Sequence, residues 1–469
     1  MIKKYSPHIL TISTALSIFC AVVLSCGANL FGSDPMGKQP IWSSFLLFGF
    51  AIIFAAIPFY FGNKQGKYKP SFHLATLLLI LLLINVIALL IYNNPTTYSF
   101  VDPLHNSYLI NYSALGTDLA VYELRLFGLL LNVFIILDFL PKFYKTNHAF
   151  KVVCYCVLTF GIVAIISSFF LDSMKYYFLL TFDNFFIRFH TLAIYSFFAS
   201  KNSFGTTMLL CLVASLFLFK EKKNPWWLIA LFISTIWLLL SQCKMGILTG
   251  LLIEVGYFIA LYVLTFKNNQ KRNAVIGLSI LGGLILLIGL MFIVPPTREF
   301  ILKLFSNLFR EENGLNTLET RQTMWSYTFI ILSNSNYFTG VGYGLFNDIL
   351  YAFTSVDIKN IAMYQTTTSH NVILQLLGDG GIVLLLVWLT LMLYIVYLSV
   401  KLLKFNKEAA ITALIMIGSM LIYGIFESSC LIIVGTGEFL VLTILITWPI
   451  MQLKQQTPEL VEDKILKLI

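Results

Sequence analysis

Long apolar runs alternate with short polar connections along most of the chain. A run that approaches about 20 residues is long enough to cross a bilayer as a helix. By this criterion the sequence predicts about twelve spans, near residues 9–31, 41–62, 72–92, 123–140, 150–171, 190–219, 225–241, 246–266, 274–294, 381–400, 409–426 and 431–450. The pattern predicts an all-α, polytopic integral membrane protein in which residues 1–469 form a single membrane domain.

The connections between these spans alternate in charge. Most of the 31 Lys and Arg residues lie in every second connection, as in the clusters at 220–223 and 401–407. Cations close to span ends are retained on the cytoplasmic side of a membrane. We therefore expect both termini to be cytoplasmic, which requires an even number of spans.

The largest polar segment, residues 295–380, separates the ninth and tenth predicted spans and lies outside by the charge alternation. Residues 298–312 place their apolar side chains on one helical face, which predicts an amphipathic helix on the outer leaflet. Two smaller outer loops are expected at about 93–122 and 172–189. Two further helices are expected in the large loop, from about Asn316 to a glycine-rich break at Gly340–Gly344, and from the predicted N-cap Ser369 to near Gly378.

Composition narrows the class of protein. Hydrophobic residues make up 58% of the chain and charged residues 11%, about half the charged fraction of a soluble domain. Soluble enzymes, disordered scaffolds and nucleic-acid binders are therefore excluded. The net charge of +9 reflects topology and contact with the anionic head groups of the bilayer, so no nucleic-acid partner is expected. The seven cysteines lie in apolar runs without metal-ligand spacing, and we predict neither a metal nor another cofactor.

Three cations on the predicted outer side lie among apolar neighbours. They are Arg188, Lys244 and Arg321, and Trp325 follows Arg321 by one helical turn. Charges at such positions are costly and are therefore functional candidates. Arginine suits phosphate because its planar guanidinium donates two parallel hydrogen bonds. The alternative is that these side chains reach toward the interface or pair with carboxylates.

His370 follows a predicted helix cap in the large outer loop. The helix dipole disfavours the imidazolium at this position, so a neutral ring would accept a proton from a sugar hydroxyl or donate a hydrogen bond to phosphate. A purely structural role is the alternative. Asn371 and Gln375 are four residues apart, and this spacing suits recognition of hydroxyl groups on one helical face.

The order of these residues resembles a known family. Two upstream elements, Asn202-Ser203-Phe204-Gly205 after Arg188 and Ser241-Gln242-Cys243-Lys244, are similar to its Asn-x-x-Gly and Ser-x-x-Arg elements, with Lys where Arg is usual. The rest of the set is Arg321 with Trp325, then Gly340-Val341-Gly342-Tyr343-Gly344, then His370-Asn371-Val372-Ile373-Leu374-Gln375, and Gly380-Gly381 opening a span. Together these elements, over 188–381, resemble the O-antigen ligase/polymerase superfamily.

The resemblance implies a membrane glycosyltransferase that moves a glycan from undecaprenyl diphosphate to an acceptor on the outer face of the bacterial cytoplasmic membrane. Neither a nucleotide sugar nor a metal is implied. Arg188 and Arg321 would hold the diphosphate, and His370 would assist catalysis. The substrate-binding positions would be Lys244, Asn202, Trp325, Asn371, Gln375 and Gly342, although a Lys at position 244 lacks the bidentate geometry of Arg.

Three acceptors are consistent with this family. Transfer to another repeat unit defines a polysaccharide polymerase, transfer to the lipid A core defines a ligase, and transfer to a protein defines an oligosaccharyltransferase. We favour the polymerase. A lipid-linked glycan flippase or sugar carrier is the alternative from another functional class, but such carriers have a central cytoplasmic loop, and the long segment here comes late and is predicted to be external.

Overall fold

The computed structural model describes the chain in segments. These are residues 60, 71–92, 96–101, 107–112, 116–134, 148–170, 178–183, 186–191, 196, 198, 201–222, 224, 226–264, 317–352, 368–427, 448–450 and 452–453, with isolated positions between 275 and 302. The predicted spans at 9–31, 41–62, 274–294 and 431–450, and the amphipathic helix at 298–312, lie wholly or mostly outside these segments.

Helices dominate the described part of the chain. In chain order the elements are α1 (Phe72–Tyr92), β1 (Thr96–Val101), β2 (Ser107–Tyr112), α2 (Gly116–Phe134), α3 (His148–Phe170), β3 (Phe178–Asp183), β4 (Phe186–Thr191), α4 (Lys201–Lys222), α5 (Trp226–Leu240), α6 (Lys244–Leu264), α7 (Thr317–Ser333), α8 (Val372–Leu402) and α9 (Lys407–Phe426). Residues 345–352 are also helical.

Five of these helices are long and apolar enough to cross a membrane: α1, α4, α6, α8 and α9. The predicted helical architecture, with several helices that could span a membrane, is therefore confirmed. Most described helices begin and end within a few residues of a predicted span, because polar residues mark both ends of a long apolar run. The total of twelve spans and the external position of the 295–380 loop stay predictions.

Two antiparallel hairpins are additions that the sequence pattern does not predict. β1 pairs with β2, and β3 pairs with β4. The second hairpin corrects the sixth predicted span, which begins at Lys201 rather than near residue 190. The error arises because periodicity alone does not distinguish a short apolar strand from a helix.

The main core is built around α4. Nearly all residues of this helix from Phe204 onward are buried, and it packs against α3, α5 and α6. Helix α9 packs in turn against α6 and α8. Because α4 is surrounded by protein, its N-terminus is held firmly by its neighbours.

A second, smaller core lies where α1, α2 and α7 meet the glycine-rich segment. Its buried side chains are Leu89, Tyr122, Tyr327, Ile331, Val341, Leu345, Phe346, Ile349 and Leu350. The Tyr122 hydroxyl also donates a hydrogen bond to the Asp348 carboxylate. This cluster therefore fastens the Gly340–Gly344 segment to the helices beside it.

Candidate functional site

Glu427 is the centre of a polar cluster at one end of the helices. It is the C-cap residue of α9, and only 6% of its surface is exposed. One carboxylate oxygen, Oε1, lies 3.0 Å from Nη2 of Arg321 and 3.4 Å from the amide nitrogen of Asn202. The other, Oε2, lies 3.1 Å from Nδ1 of His370. A single carboxylate thus joins three predicted site residues from separate parts of the chain.

Arg321 reaches this cluster from the first part of α7. Its side chain is largely buried, and its bond to Glu427 comes from one terminal nitrogen, whereas a guanidinium has five N–H donors. Trp325 lies one turn further along the same helix. Its indole Nε1 is buried and has no hydrogen-bond partner among the residues that the structure describes.

His370 adopts a backbone conformation that is unusual for a side chain of its size. Its φ of 49° lies in the left-handed region, which costs free energy for any residue other than glycine. The next residue, Asn371, is the N-cap of α8, and its Oδ1 accepts hydrogen bonds from the backbone N–H groups of Ile373 and Leu374. The predicted cap at Ser369 is therefore wrong by two residues.

Asn371 also joins the turn that contains His370 to the end of α9, which carries Glu427. Its amide nitrogen donates to the carbonyl of Ile425 at 3.1 Å, close to the end of α9. Both ends of the Asn371 amide are thus used within the protein. The structure places this residue as a clamp between α8 and α9, which differs from the hydroxyl-binding role that the sequence suggested.

Gln375 is likewise engaged inside the protein. It is fully buried; its Oε1 accepts hydrogen bonds from the backbone and hydroxyl of Ser369, and its Nε2 donates to Asn347 and Asp379. Both ends of its amide are thus used within the protein, and recognition of a sugar hydroxyl by Gln375 stays a prediction.

The glycine-rich segment supports the site through its backbone. Gly342 has a φ of 110°, and a Cβ there would lie 2.8 Å from a methyl carbon of Leu89. Gly342 is buried and packs against α1, and its predicted substrate-binding role stays a prediction. The Tyr343 N–H donates to Asn85 Oδ1 at 2.6 Å, which ties the segment to α1 a second time.

The same segment is joined to a kink in α8. Gly381 interrupts that helix with a φ of 64° and a ψ of −161°, where the sequence predicts that the loop helix ends and the span begins. A Cβ on Gly381 would lie 2.3 Å from the backbone of Phe338. The Val341 N–H donates to the Gly378 carbonyl, and the Ile382 N–H donates to the Tyr337 carbonyl. These backbone contacts hold α8, the helix that begins two residues after His370.

The two upstream sequence elements, residues 202–205 and 241–244, are in close contact. A Cβ on Gly205, one turn after Asn202, would lie 2.4 Å from Cβ of Cys243 and 2.8 Å from the Ser241 hydroxyl. Only glycine permits this approach of the α5–α6 hairpin to α4. Lys244 begins α6 directly after that hairpin and is half-buried.

Arg188 lies in β4, opposite Thr181 of β3. The position of its side chain is outside the described part of the structure. Its approach to Arg321 therefore stays a prediction.

The electrostatics of the cluster are dominated by the burial of Glu427. Burial raises the pKa of this carboxyl above its ordinary value of 4.5, while the charges of Arg321 and Lys201 act in the opposite direction. Among the described residues, no group of three or more His, Cys, Asp or Glu side chains could hold a metal ion. The site is thus a buried acid surrounded by basic groups.

The sequence reasoning missed Glu427 and Lys201. Glu427 lies in the outer connection between the eleventh and twelfth predicted spans, so the rule that flags charges at the outer ends of spans applies to it as well. Lys201 lies inside the sixth predicted span, 190–219, in the short polar stretch Ser200-Lys201-Asn202-Ser203.

Comparison with known proteins adds an independent observation. Residues 228–389 match the O-Antigen ligase family. The resemblance to the O-antigen ligase/polymerase superfamily is confirmed. The match runs from α5 to α8 over about a third of the chain, and it includes Lys244, Arg321 and His370. Asn202 and Glu427 lie outside it. A search among curated proteins gives no match.

Proposed function

We propose that this protein is a glycosyltransferase that extends a polysaccharide on the outer face of the bacterial cytoplasmic membrane. The donor is a glycan on undecaprenyl diphosphate, and the acceptor is the terminal sugar of another repeat unit. The observation that carries the proposal is the convergence of Arg321, His370 and Asn202 on the carboxylate of Glu427. The family match supports an activity of the ligase or polymerase type.

The leaving group explains the basic side chains. A diphosphate gains negative charge as its bond to the anomeric carbon breaks, and fixed donors stabilise that charge most when they are already in place. Arg321 is held by Glu427, so it is oriented before substrate arrives. The buried indole N–H of Trp325 supplies a further donor one turn away. Arg188 and Lys244 are proposed to complete the diphosphate site.

His370 and Glu427 supply the base. An ionised carboxylate only accepts hydrogen bonds, so Nδ1 of His370 carries a hydrogen toward Glu427, and in that tautomer Nε2 is an acceptor. As the acceptor hydroxyl oxygen bonds to the anomeric carbon, its proton passes to Nε2. The bond from that carbon to the diphosphate oxygen breaks, and its electron pair leaves with the diphosphate. Glu427 stabilises the imidazolium that results.

Orientation in the membrane follows from charge. The Glu427 cluster lies at the start of α4 and α8 and at the end of α9, whereas the lysines at 220–222 and 401–407 lie at the opposite ends of the same helices. If the lysine-rich ends face the cytoplasm, the site opens on the outer face. We propose this orientation, with both termini inside.

Reconstitution tests the proposal directly. Purified protein in liposomes is supplied with lipid-linked repeat units, and the products are separated by length. A polymerase lengthens the lipid-linked glycan, whereas a flippase changes only its sidedness. Arg321→Ala and Arg188→Ala should abolish lengthening while the protein stays in the membrane, and full activity in either variant would remove that arginine from the site.

A deletion strain separates polymerase from ligase. Mass spectrometry of its envelope glycans should show single-repeat products if the enzyme joins repeat units. Accumulation of long polymer on the lipid carrier would instead establish transfer to a final acceptor.

A further inference from the structure

The buried side chain of Gln375 contacts Ser369, the residue that precedes His370. Its Oε1 accepts a hydrogen bond from the backbone N–H of Ser369 at 3.1 Å and from the Ser369 hydroxyl at 3.3 Å. That hydroxyl also lies 2.9 Å from the carbonyl of Asn371. The Ser369 hydroxyl therefore connects the residues immediately before and after His370, and the buried amide of Gln375 holds Ser369.

The orientation of this amide is determined by its other end. Nε2 lies 2.7 Å from Oδ1 of Asn347 and 3.0 Å from Oδ2 of Asp379. Both partners present acceptor oxygens, so the NH₂ group of Gln375 faces them and the carbonyl oxygen faces Ser369. Since Gln375 is fully buried, water does not replace these bonds.

The backbone of His370 needs such support. Its left-handed φ of 49° is unfavourable for a side chain with a Cβ and persists only where the surrounding structure imposes it. In this conformation the imidazole reaches Glu427. A small relaxation of the turn would separate two groups that now lie 3.1 Å apart.

We propose that Gln375 is a positioning residue that holds the Ser369–His370–Asn371 turn and thereby keeps His370 against Glu427. It does not touch substrate. Its effect on turnover rests on the proposed function, whereas its effect on the geometry of His370 does not.

The test uses Gln375→Met in the full-length protein, because methionine matches glutamine in length and makes no comparable hydrogen bonds. Gln452→Met is the matched control. Gln452 is also a buried glutamine, and it donates a hydrogen bond to Glu221 at the opposite end of the helices. Two quantities are measured: steady-state transfer, and the rate at which diethyl pyrocarbonate modifies His370, read by mass spectrometry.

For Gln375→Met we expect kcat to fall about 10²-fold, because a small misplacement of a catalytic group has an effect of this size. The KM for the lipid-linked glycan should stay within about twofold, since Arg321 is untouched. His370 should be modified faster than in the wild type. Gln452→Met should match the wild type in both measurements.

Gln375→Glu provides a conservative rescue. It keeps an oxygen for Ser369, and a protonated carboxyl can still donate toward Asp379. Both its turnover and its His370 modification rate should lie closer to wild type than those of Gln375→Met. If Gln375→Met does not accumulate, Asn347→Ala, which removes the acceptor 2.7 Å from Nε2 of Gln375 and no residue of the turn, should show the same changes to a smaller extent.

Several results would overturn the proposal. Unchanged modification of His370 in Gln375→Met, or in Asn347→Ala if it must be substituted, would show that the amide does not hold the turn. Equal changes in Gln452→Met would indicate general loosening. If wild-type protein transfers no glycan, the proposed function fails, and the modification rates still decide the role of Gln375.

Discussion

Oε2 of Glu427 lies 3.1 Å from Nδ1 of His370, although 57 residues separate them in the sequence. One residue ends α9 and the other precedes α8, so the packing of these two helices sets the distance. The pair gives the imidazole a defined hydrogen-bonding direction.

Glu427→Gln should reduce transfer strongly. The substitution keeps the size of the side chain but removes the charge that compensates Arg321 and orients His370. We expect kcat to fall about 10²-fold or more, the scale of a lost general base. Transfer is measured in liposomes at equal protein content.

Glu221→Gln serves as the control for that experiment. Glu221 is paired with Lys151 at the other end of the helices, at 3.6 Å. This variant should retain wild-type turnover. Comparable loss in both variants would show that the effect of Glu427→Gln is not specific to the cluster.

Stability should depend on pH through Glu427. Because its pKa is raised in the folded protein, the folded state binds more protons than the unfolded state at pH values just above the ordinary 4.5. The contribution of the carboxyl is therefore most favourable below pH 4.5 and declines as the pH rises through the folded-state pKa. Relative to Glu427→Gln, wild-type protein should lose Tm as the pH rises over this interval.

Other charged groups face Glu427 and must be controlled. Arg321 and Lys201 are the basic groups whose charges act on Glu427, and His370 contacts it directly. Histidine is the side chain whose charge ordinarily changes near neutral pH. Both proteins in the comparison should therefore carry His370→Asn, since asparagine tolerates a left-handed backbone. If the protein with Glu427 instead gains Tm relative to the protein with Glu427→Gln as the pH rises, pairing with Arg321 outweighs the cost of burial.

Trp325→Phe should weaken donor binding more than turnover. Phenylalanine keeps an aromatic ring and removes the buried indole N–H. If that group binds the diphosphate equally in the ground state and transition state, the KM for the donor rises about 2–10-fold and kcat changes little, as expected for one hydrogen bond. Unchanged KM would remove the indole from the binding site.

Gly381→Ala should destabilise the protein. A Cβ at this position meets backbone atoms of Phe338 at 2.3 Å, and the left-handed conformation adds strain. We expect a loss of at least about 1–3 kcal/mol, measured by thermal unfolding in detergent.

Gly418→Ala is the matched control for that prediction. Gly418 lies in the middle of α9, and nothing lies within 4 Å of an added Cβ. Alanine is the better helix former, so this variant should be as stable as wild type or more stable by about 0.5–1 kcal/mol. Equal destabilisation of both variants would contradict the proposed role of the kink.

The sequence predicts the helices well and the hairpins poorly, for a physical reason. Helices such as α9 are uniform apolar runs whose ends are marked by polar residues, so pattern alone locates them within two residues. In β4 the apolar residues are few and the run merges with the next helix. Pairing with β3 is a tertiary contact that no local pattern records.

The residues of the candidate site likewise differ in how well the sequence predicts them. Arg321 and His370 are identified from their charge and their place beside predicted helices. Glu427 requires knowledge of how α8 and α9 pack, which the sequence does not give. Gln375 and Gly342 are found in the pattern, but the sequence does not show that both are buried, because burial and hydrogen-bond partners depend on tertiary packing.

Glu427 is the C-cap residue of α9, so the length of that helix also determines where the carboxylate lies. Adding one residue anywhere within it would rotate the acid by about 100° and raise it by about 1.5 Å. Tyr423, one turn earlier, would lose its 2.9 Å contact with the Thr206 hydroxyl as well. The number of residues in α9 is therefore constrained twice, by the thickness of the bilayer and by the reach of a carboxylate.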